Sequence, residues 1–268
     1  MAVKTDDSGR RWVEMDVVLQ ATPEQVWSAV ATGAGYTAWF TRTTLEERVG
    51  GKIEFRMGPG STSVGEITEW RPPSKLAYVE RGWMEGAPDC VTEISVTRRS
   101  RGQTLFHMSH SLATSKEDWD ESLESFESGW QGFFEVLRIY LAQFAGRKAA
   151  MFQSMVQVKT ELPATWKKLT TALDLESALV CERVNLKSPE PLTAVVERVH
   201  QDSRLCALTL RLEAPPGVAI VGTFAWGGQT MASITAYFYG PDADKIVAAS
   251  ESRWKAWLEE TSGNSHSG

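Results

Sequence analysis

Between Lys116 and Ala145, large apolar side chains recur at steps of three and four: Trp119, Leu123, Phe126, Trp130, Phe133, Leu137, Tyr140 and Phe144. That spacing lines one face of an α-helix. At 1.5 Å per residue the helix runs roughly 43 Å, long enough to lie across a whole curved sheet. Such an aromatic stripe needs a broad apolar partner, and the chain upstream supplies one. Gly129 and Gly132 fall in mid-helix, each costing about 1 kcal/mol against alanine. A close approach of the backbone to the sheet, or space left for a ligand, would offset that cost.

Upstream, Trp12–Gln20 alternates and is rich in Val, so it reads as a strand. A helix start follows: Thr22 can cap, Pro23 suits the first helical position, and Gln25 completes a capping box. Val26, Trp27 and Val30 mark its inner face, and Gly33 is expected to end it. A short second helix, Tyr36–Thr41, carries Trp39 and Phe40 inward. Six strands come next: Thr43–Arg48, Lys52–Met57, Ser63–Trp70, Lys75–Arg81, Cys90–Thr97 and Gln103–Leu112. The breaks at Gly50-Gly51, Gly58-Pro59-Gly60 and Pro72-Pro73 argue for an antiparallel meander rather than βαβ units.

A length of 268 residues suits two domains. Residues 146–150 read as a hinge, after which the pattern begins again in reduced form, giving expected domains at 1–146 and 151–268. Strand Phe152–Thr160 leads to a helix opened by Pro163 and carrying Trp166, Leu169 and Leu173. Five strands follow, and a last helix from Pro241 runs through Trp254, Trp257 and Leu258. Trp27 can be laid on Trp166, and Glu127-Ser128-Gly129-Trp130 on Glu251-Ser252-Arg253-Trp254. The second half therefore reads as a shortened, degenerate copy of the first.

Composition removes several classes. Net charge is −6, with 28 basic against 34 acidic residues, so the electrostatic footprint of a nucleic-acid binder is missing. The three cysteines, Cys90, Cys181 and Cys206, are scattered and odd in number, which suits neither a disulfide framework nor a zinc site. No apolar run approaches the ~20 residues of a membrane span, and Met1–Arg11 is polar. The expectation is a cytoplasmic protein without a metal or other cofactor.

The order strand, two short helices, six antiparallel strands, long helix resembles the START-like, or SRPBCC, helix-grip fold. Within it, residues 12–145 resemble the activator of heat-shock-protein-90 ATPase homologue (AHSA1-like) family. The resemblance rests on Ala21-Thr22-Pro23-Glu24-Gln25-Val26-Trp27, Gly35-Tyr36-Thr37-Ala38-Trp39-Phe40 and Gly50-Gly51-Lys52-Ile53. It rests also on the segment from Gly65 to Leu76 and on Gly129-Trp130. It implies an α+β fold of tandem helix-grip domains, each a curved sheet wrapped on its long helix, with a cavity between the two. Relatives bind apolar or amphipathic small molecules there. Chaperone partnership is the other implication.

No assembled catalytic pattern is visible. Gly60 and Gly65 have the gap of a phosphate-binding loop, but Glu66 stands where its lysine must be. His107 and His110 lie three apart on a strand and point to opposite faces. Glu66 and Glu69 should do the same. For these, Glu80 and Glu93, outward sheet charge is the simplest reading, although a cavity-facing carboxyl could serve as a general acid or base. The expected cavity is lined from the helix by Trp130, Phe133, Phe134 and Leu137, and otherwise by Trp39, Trp70, Trp83, Phe106 and Met108. The set Leu105, His107 and Ser109 is the rival inner face. The function expected first is non-enzymatic binding of a small apolar or amphipathic ligand. A chaperone-associated stress-response partner is the alternative, and an enzyme of the cyclase, dehydratase or hydrolase type a third.

Overall fold

The structure is a computed structural model describing residues 3–7, 9–58, 61–114 and 119–263. The chain splits into two units, Met1–Gly146 and Arg147–Gly268, each of the α+β class with its own antiparallel sheet.

In the first unit the elements are β1 (Lys4–Thr5), β2 (Arg11–Leu19), α1 (Pro23–Val30), α2 (Gly33–Thr37), β3 (Thr43–Leu45) and β4 (Lys52–Gly58). They continue as β5 (Ser61–Arg71), β6 (Lys75–Glu80), β7 (Cys90–Arg98), β8 (Thr104–Leu112) and α3 (Asp120–Gln143). The eight strands form one sheet in the order β1-β2-β8-β7-β6-β5-β4-β3. The short β1 was not legible in the polar N-terminal segment.

The start of α1 is the capping box read from the sequence. Thr22 Oγ1 accepts from the Gln25 amide and Gln25 Oε1 from the Thr22 amide, so two of the helix's otherwise orphaned donors are satisfied. The helix ends at Val30, earlier than expected, and Gly33 opens α2 rather than closing α1. Thr32 caps α2 through the Gly35 amide at 2.9 Å. Gly35 is where α2 presses on the last turn of α1. A Cβ there would lie 2.0 Å from the Ser28 carbonyl oxygen and 2.7 Å from that of Ala29, so only glycine fits. The Trp39 indole then donates to the Ala29 carbonyl at 2.9 Å, fixing the residues after α2 against α1.

Helix α3 has 24 residues, about 36 Å, and is shorter than its sequence stripe suggested. Residues 115–118 and the side chains of 121 and 125–128, Phe126 included, lie outside the described residues. The two mid-helix glycines do not mark a close approach. Gly129 is exposed, Gly132 is half-buried, and a Cβ on either would meet nothing within 4 Å.

Strand register decides which side chains meet α3. Met15 pairs with Met108 and Val17 with Phe106, while Ile94 faces Met108 and Val96 faces Phe106. Directly paired residues share a face. Phe106, Met108 and His110 therefore point inward, and Leu105, His107 and Ser109 outward, which settles the choice between rival faces. One irregularity alters the reading of β5. A β-bulge between Ile67 and Glu69 shifts the alternation, so that Glu69 pairs with Ala77 and Trp70 with Leu76. Glu66 and Glu69 consequently share the outer face, contrary to the expectation from spacing, and Trp70 is returned to the inner one.

The second unit runs β9 (Ala149–Val158), α4 (Leu162–Leu173), β10 (Arg183–Leu186), β11 (Leu192–Gln201), β12 (Leu205–Ala214), β13 (Gly217–Trp226), β14 (Gln229–Tyr239) and α5 (Ala243–Thr261). Its sheet order is β10-β11-β12-β13-β14-β9. Trp166 and Trp254, the two tryptophans laid on the first half, belong to its core together with Leu169, Trp257 and Leu258. Glu190, in the loop before β11, fastens α5. Its Oε1 accepts from the Trp254 indole at 2.6 Å and its Oε2 from Arg253 at 2.7 Å.

These packing differences separate the glycines by outcome. Gly35→Ala is expected to cost more than about 2 kcal/mol, because the added methyl strikes backbone that cannot retreat. Gly129→Ala, in open space on a helix, is expected to stabilise by about 0.5–1 kcal/mol. Urea denaturation of the two variants checks both signs.

Candidate functional site

The inner face of the first unit has an aromatic side and a polar side. The aromatic side is gathered by α2, the turn after it, β8 and α3. Phe40 lies 4.4 Å from Trp130 and 5.0 Å from Phe133 between ring centroids. Trp39 approaches Trp130 at 5.9 Å and Phe134 at 6.3 Å, while Phe134 stacks on Trp130 and meets Phe106 edge-on at 5.6 Å. Trp39, Phe106, Met108 and Leu137 are fully buried, and Phe133 is half-buried.

The polar side occupies the adjoining stretch of the same face. Register carries it across the sheet: His110 pairs with Thr92, Thr92 with Tyr78, and Tyr78 with Ile67, while Glu80 lies between Cys90 and Gly65. The Thr92 hydroxyl and His110 Nδ1 are 2.9 Å apart, and the His110 ring stacks on Trp130 at 5.6 Å, joining the two sides. Ser63 donates its hydroxyl to the Glu80 carboxyl. Tyr36 reaches this row from α2, packed edge-on against Phe55 at 5.3 Å. Its hydroxyl lies beside that of Tyr78 but makes no hydrogen bond of good geometry among the described residues.

Burial sets the protonation of this row. It raises the Glu80 carboxyl above the ordinary carboxylate range, with the Ser63 hydrogen bond pulling weakly the other way. It raises the phenols of Tyr36 and Tyr78 and the Cys90 thiol, helped by the nearby Glu80 charge. Desolvation lowers His110 to about 4, so the imidazole is neutral at pH 7. The inner cation at this end, Arg11, is engaged by Asp120 at the start of α3, with Nε 2.6 Å from Oδ1.

Of the nine residues expected from sequence, Trp39, Phe106, Met108, Trp130, Phe133, Phe134 and Leu137 lie on this side of the sheet or on the helix facing it. Trp70 is half-buried and packs edge-on against Trp27 of α1 at 5.1 Å. Trp83 sits with Trp119 at 6.0 Å, beside the separate cluster of Val13, Cys90, Leu112 and Leu123. His107 points outward to Asp16, 2.8 Å away. Glu66 and Glu93 are outer-face charges bonded to Arg81 and Arg10. Glu80 is the departure: it faces inward, against the simplest reading of the sequence. Both faces of β6 are buried, so no alternation of hydropathy marked its inner set. Phe40 points inward as expected, whereas Tyr36, central here, was visible only as part of a motif.

A curved antiparallel sheet closed by its own terminal helix defines the START-like, or SRPBCC, helix-grip class. Within that class, residues 20–142 match the family model described as Activator of Hsp90 ATPase homolog 1-like protein. Among solved structures, the chain is similar to CalU16 from Micromonospora echinospora, at 21% identity over 53% of this chain and 83% of that one, with a TM-score of 0.43. It is similar to DynU16, from the dynemicin biosynthetic locus, at 15% identity over 94% and 95%, with a TM-score of 0.44. A third likeness is the Aha1 dimer from Colwellia psychrerythraea, at 20% identity over 48% and 95%, with a TM-score of 0.40. No curated protein matches. Among the described residues, no helix is long and apolar enough to cross a membrane.

Two outcomes follow from the site. Trp130→Ala, which removes the ring shared by Trp39, Phe40, Phe133, Phe134 and His110, is expected to cost about 3–5 kcal/mol in a denaturant melt. His110 and Glu80 should tilt stability with pH in opposite directions. Because the folded state holds His110 below its unfolded value of 6.5, the unfolded chain takes up that proton first. Stability is thus lost as pH falls from about 6.5 towards 4, by about 2–3 kcal/mol at most. Glu80 is raised, so its contribution is lost as pH rises above 4.5 through its folded value. Relative to the wild type, His110→Gln should lose less stability on going from pH 7.5 to 4.5, and Glu80→Gln should lose more. Urea midpoints at the two pH values measure both.

Proposed function

We propose that the first unit is a non-enzymatic binding module for a small, predominantly apolar or amphipathic molecule, held between the inner face of its sheet and α3. The observation that carries this reading is the continuity of an aromatic wall with a buried polar row. Trp130 stacks on His110, so one molecule in contact with the wall has hydrogen-bonding groups within reach of its end. Burial of apolar area would supply most of the affinity, and a few polar groups would set orientation. In the same reading the second unit is a shortened copy of the first. A second reading, partnership with a chaperone, is favoured by the family model's description.

Titration of the full chain with Nile red, an uncharged apolar dye, separates the two. Saturable binding with a blue-shifted dye emission and a change in tryptophan fluorescence is the expected result. Absence of saturable binding, together with stimulation of Hsp90 ATPase by the protein, would put the chaperone reading first.

A further inference from the structure

The polar row is more specific than an apolar binding site requires. Burying a hydroxyl without a well-placed partner is unfavourable, yet Tyr36, fully buried, brings one to the inner face, where it lies beside the Tyr78 hydroxyl without a hydrogen bond of good geometry among the described residues. Across from it stand Tyr78 and Glu80, and Ser63 already donates to the Glu80 carboxyl. Gly65 sits beneath these groups. A Cβ there would lie 2.9 Å from Ile53 Cγ2, 3.1 Å from Tyr78 Cδ2 and 3.2 Å from Glu80 Cγ, so the strand leaves room for both side chains to lie over it. The absence of a Cβ at Gly65 thus helps to hold Tyr78 and Glu80 together.

Resting on the binding reading above, we propose that Tyr36 and Glu80 form the polar end of the site and receive an uncharged oxygen, a carbonyl or hydroxyl, of an otherwise apolar ligand. The Tyr36 phenol is the donor and Glu80 the second hydrogen-bonding group. A carboxylate ligand fits poorly. It would bury a negative charge in a dry setting, and Arg11, an inward-facing cation of this sheet, is already engaged by Asp120. The ligand class is therefore a neutral ketone or alcohol with an apolar body, and not a fatty-acid anion.

A matched pair of probes tests the assignment in the full chain: 2-decanone and decanoate, compared at pH 7.5 by calorimetry and by displacement of Nile red. The ketone is expected to bind at least tenfold more tightly. Tyr36→Phe and Glu80→Leu should each reduce that ratio at least threefold. Glu80→Gln, which keeps a neutral hydrogen-bonding group, should preserve the ratio. Should a variant fail to fold, the ratio measured on the wild type still decides. Equal binding of the two probes overturns this proposal and leaves the binding reading standing, as does a ratio that both variants preserve. No binding of either probe, with no binding of Nile red, removes the binding reading and this proposal with it.

Discussion

The close approach at Gly35 is the constraint on which the inner face of the first unit depends. With the Ser28 and Ala29 carbonyls where they are, the start of α2 can approach α1 only without a side chain at that position. That approach aims Tyr36, Trp39 and Phe40 at the sheet, and the Trp39 indole secures it by bonding the same stretch of α1 backbone. Phe40 then meets Trp130 and Phe133, so the position of α3 is linked to a contact between two short helices. The motif from Gly35 to Phe40, which carries much of the family resemblance, is in physical terms a device for delivering three aromatic side chains to one place.

The fold was largely legible because its punctuation is local. Thr22, Pro23 and Gln25 specify a helix start by hydrogen bonds within four residues, and Gly/Pro breaks delimit most strands. The rest depends on pairing, which sequence alone does not reveal. Leu105-Phe106-His107-Met108 offers two plausible inner sets, and only the pairing of Met108 with Met15 and Ile94 chooses between them. The bulge in β5 is a sharper case: one extra residue moved Glu69 to the outer face and Trp70 to the inner one, reversing what alternation predicts. Glu80 was hidden for a different reason, since Leu76, Ala77, Tyr78 and Val79 are all buried and the strand has no polar side to read against.

Among the polar groups, burial rather than ion pairing dominates. Glu80, Tyr36, Tyr78, Cys90 and His110 are all shifted chiefly towards their neutral forms. By contrast, the outer face is dressed with exposed ion pairs such as Arg10 with Glu93 and Arg81 with Glu66, which contribute little to stability. One sheet thus presents two chemically distinct surfaces, and side-chain direction on each strand decides which a residue serves.

The strand order also has a consequence in time. β2 pairs along its whole length with β8, and roughly ninety residues of chain lie between the partners. On a ribosome adding about 5–20 residues per second, the first long strand emerges on the order of 5–20 s before the strand that completes its pairing. During that interval Val13, Met15, Val17 and Leu19 have no sheet to join on that side, and the loop to be closed is long. The residues that alternate with them are Trp12, Glu14, Asp16 and Val18. Two like charges on one short strand keep it soluble and discourage premature pairing with another nascent copy, a protective role for residues that, in the finished domain, only decorate its outer surface.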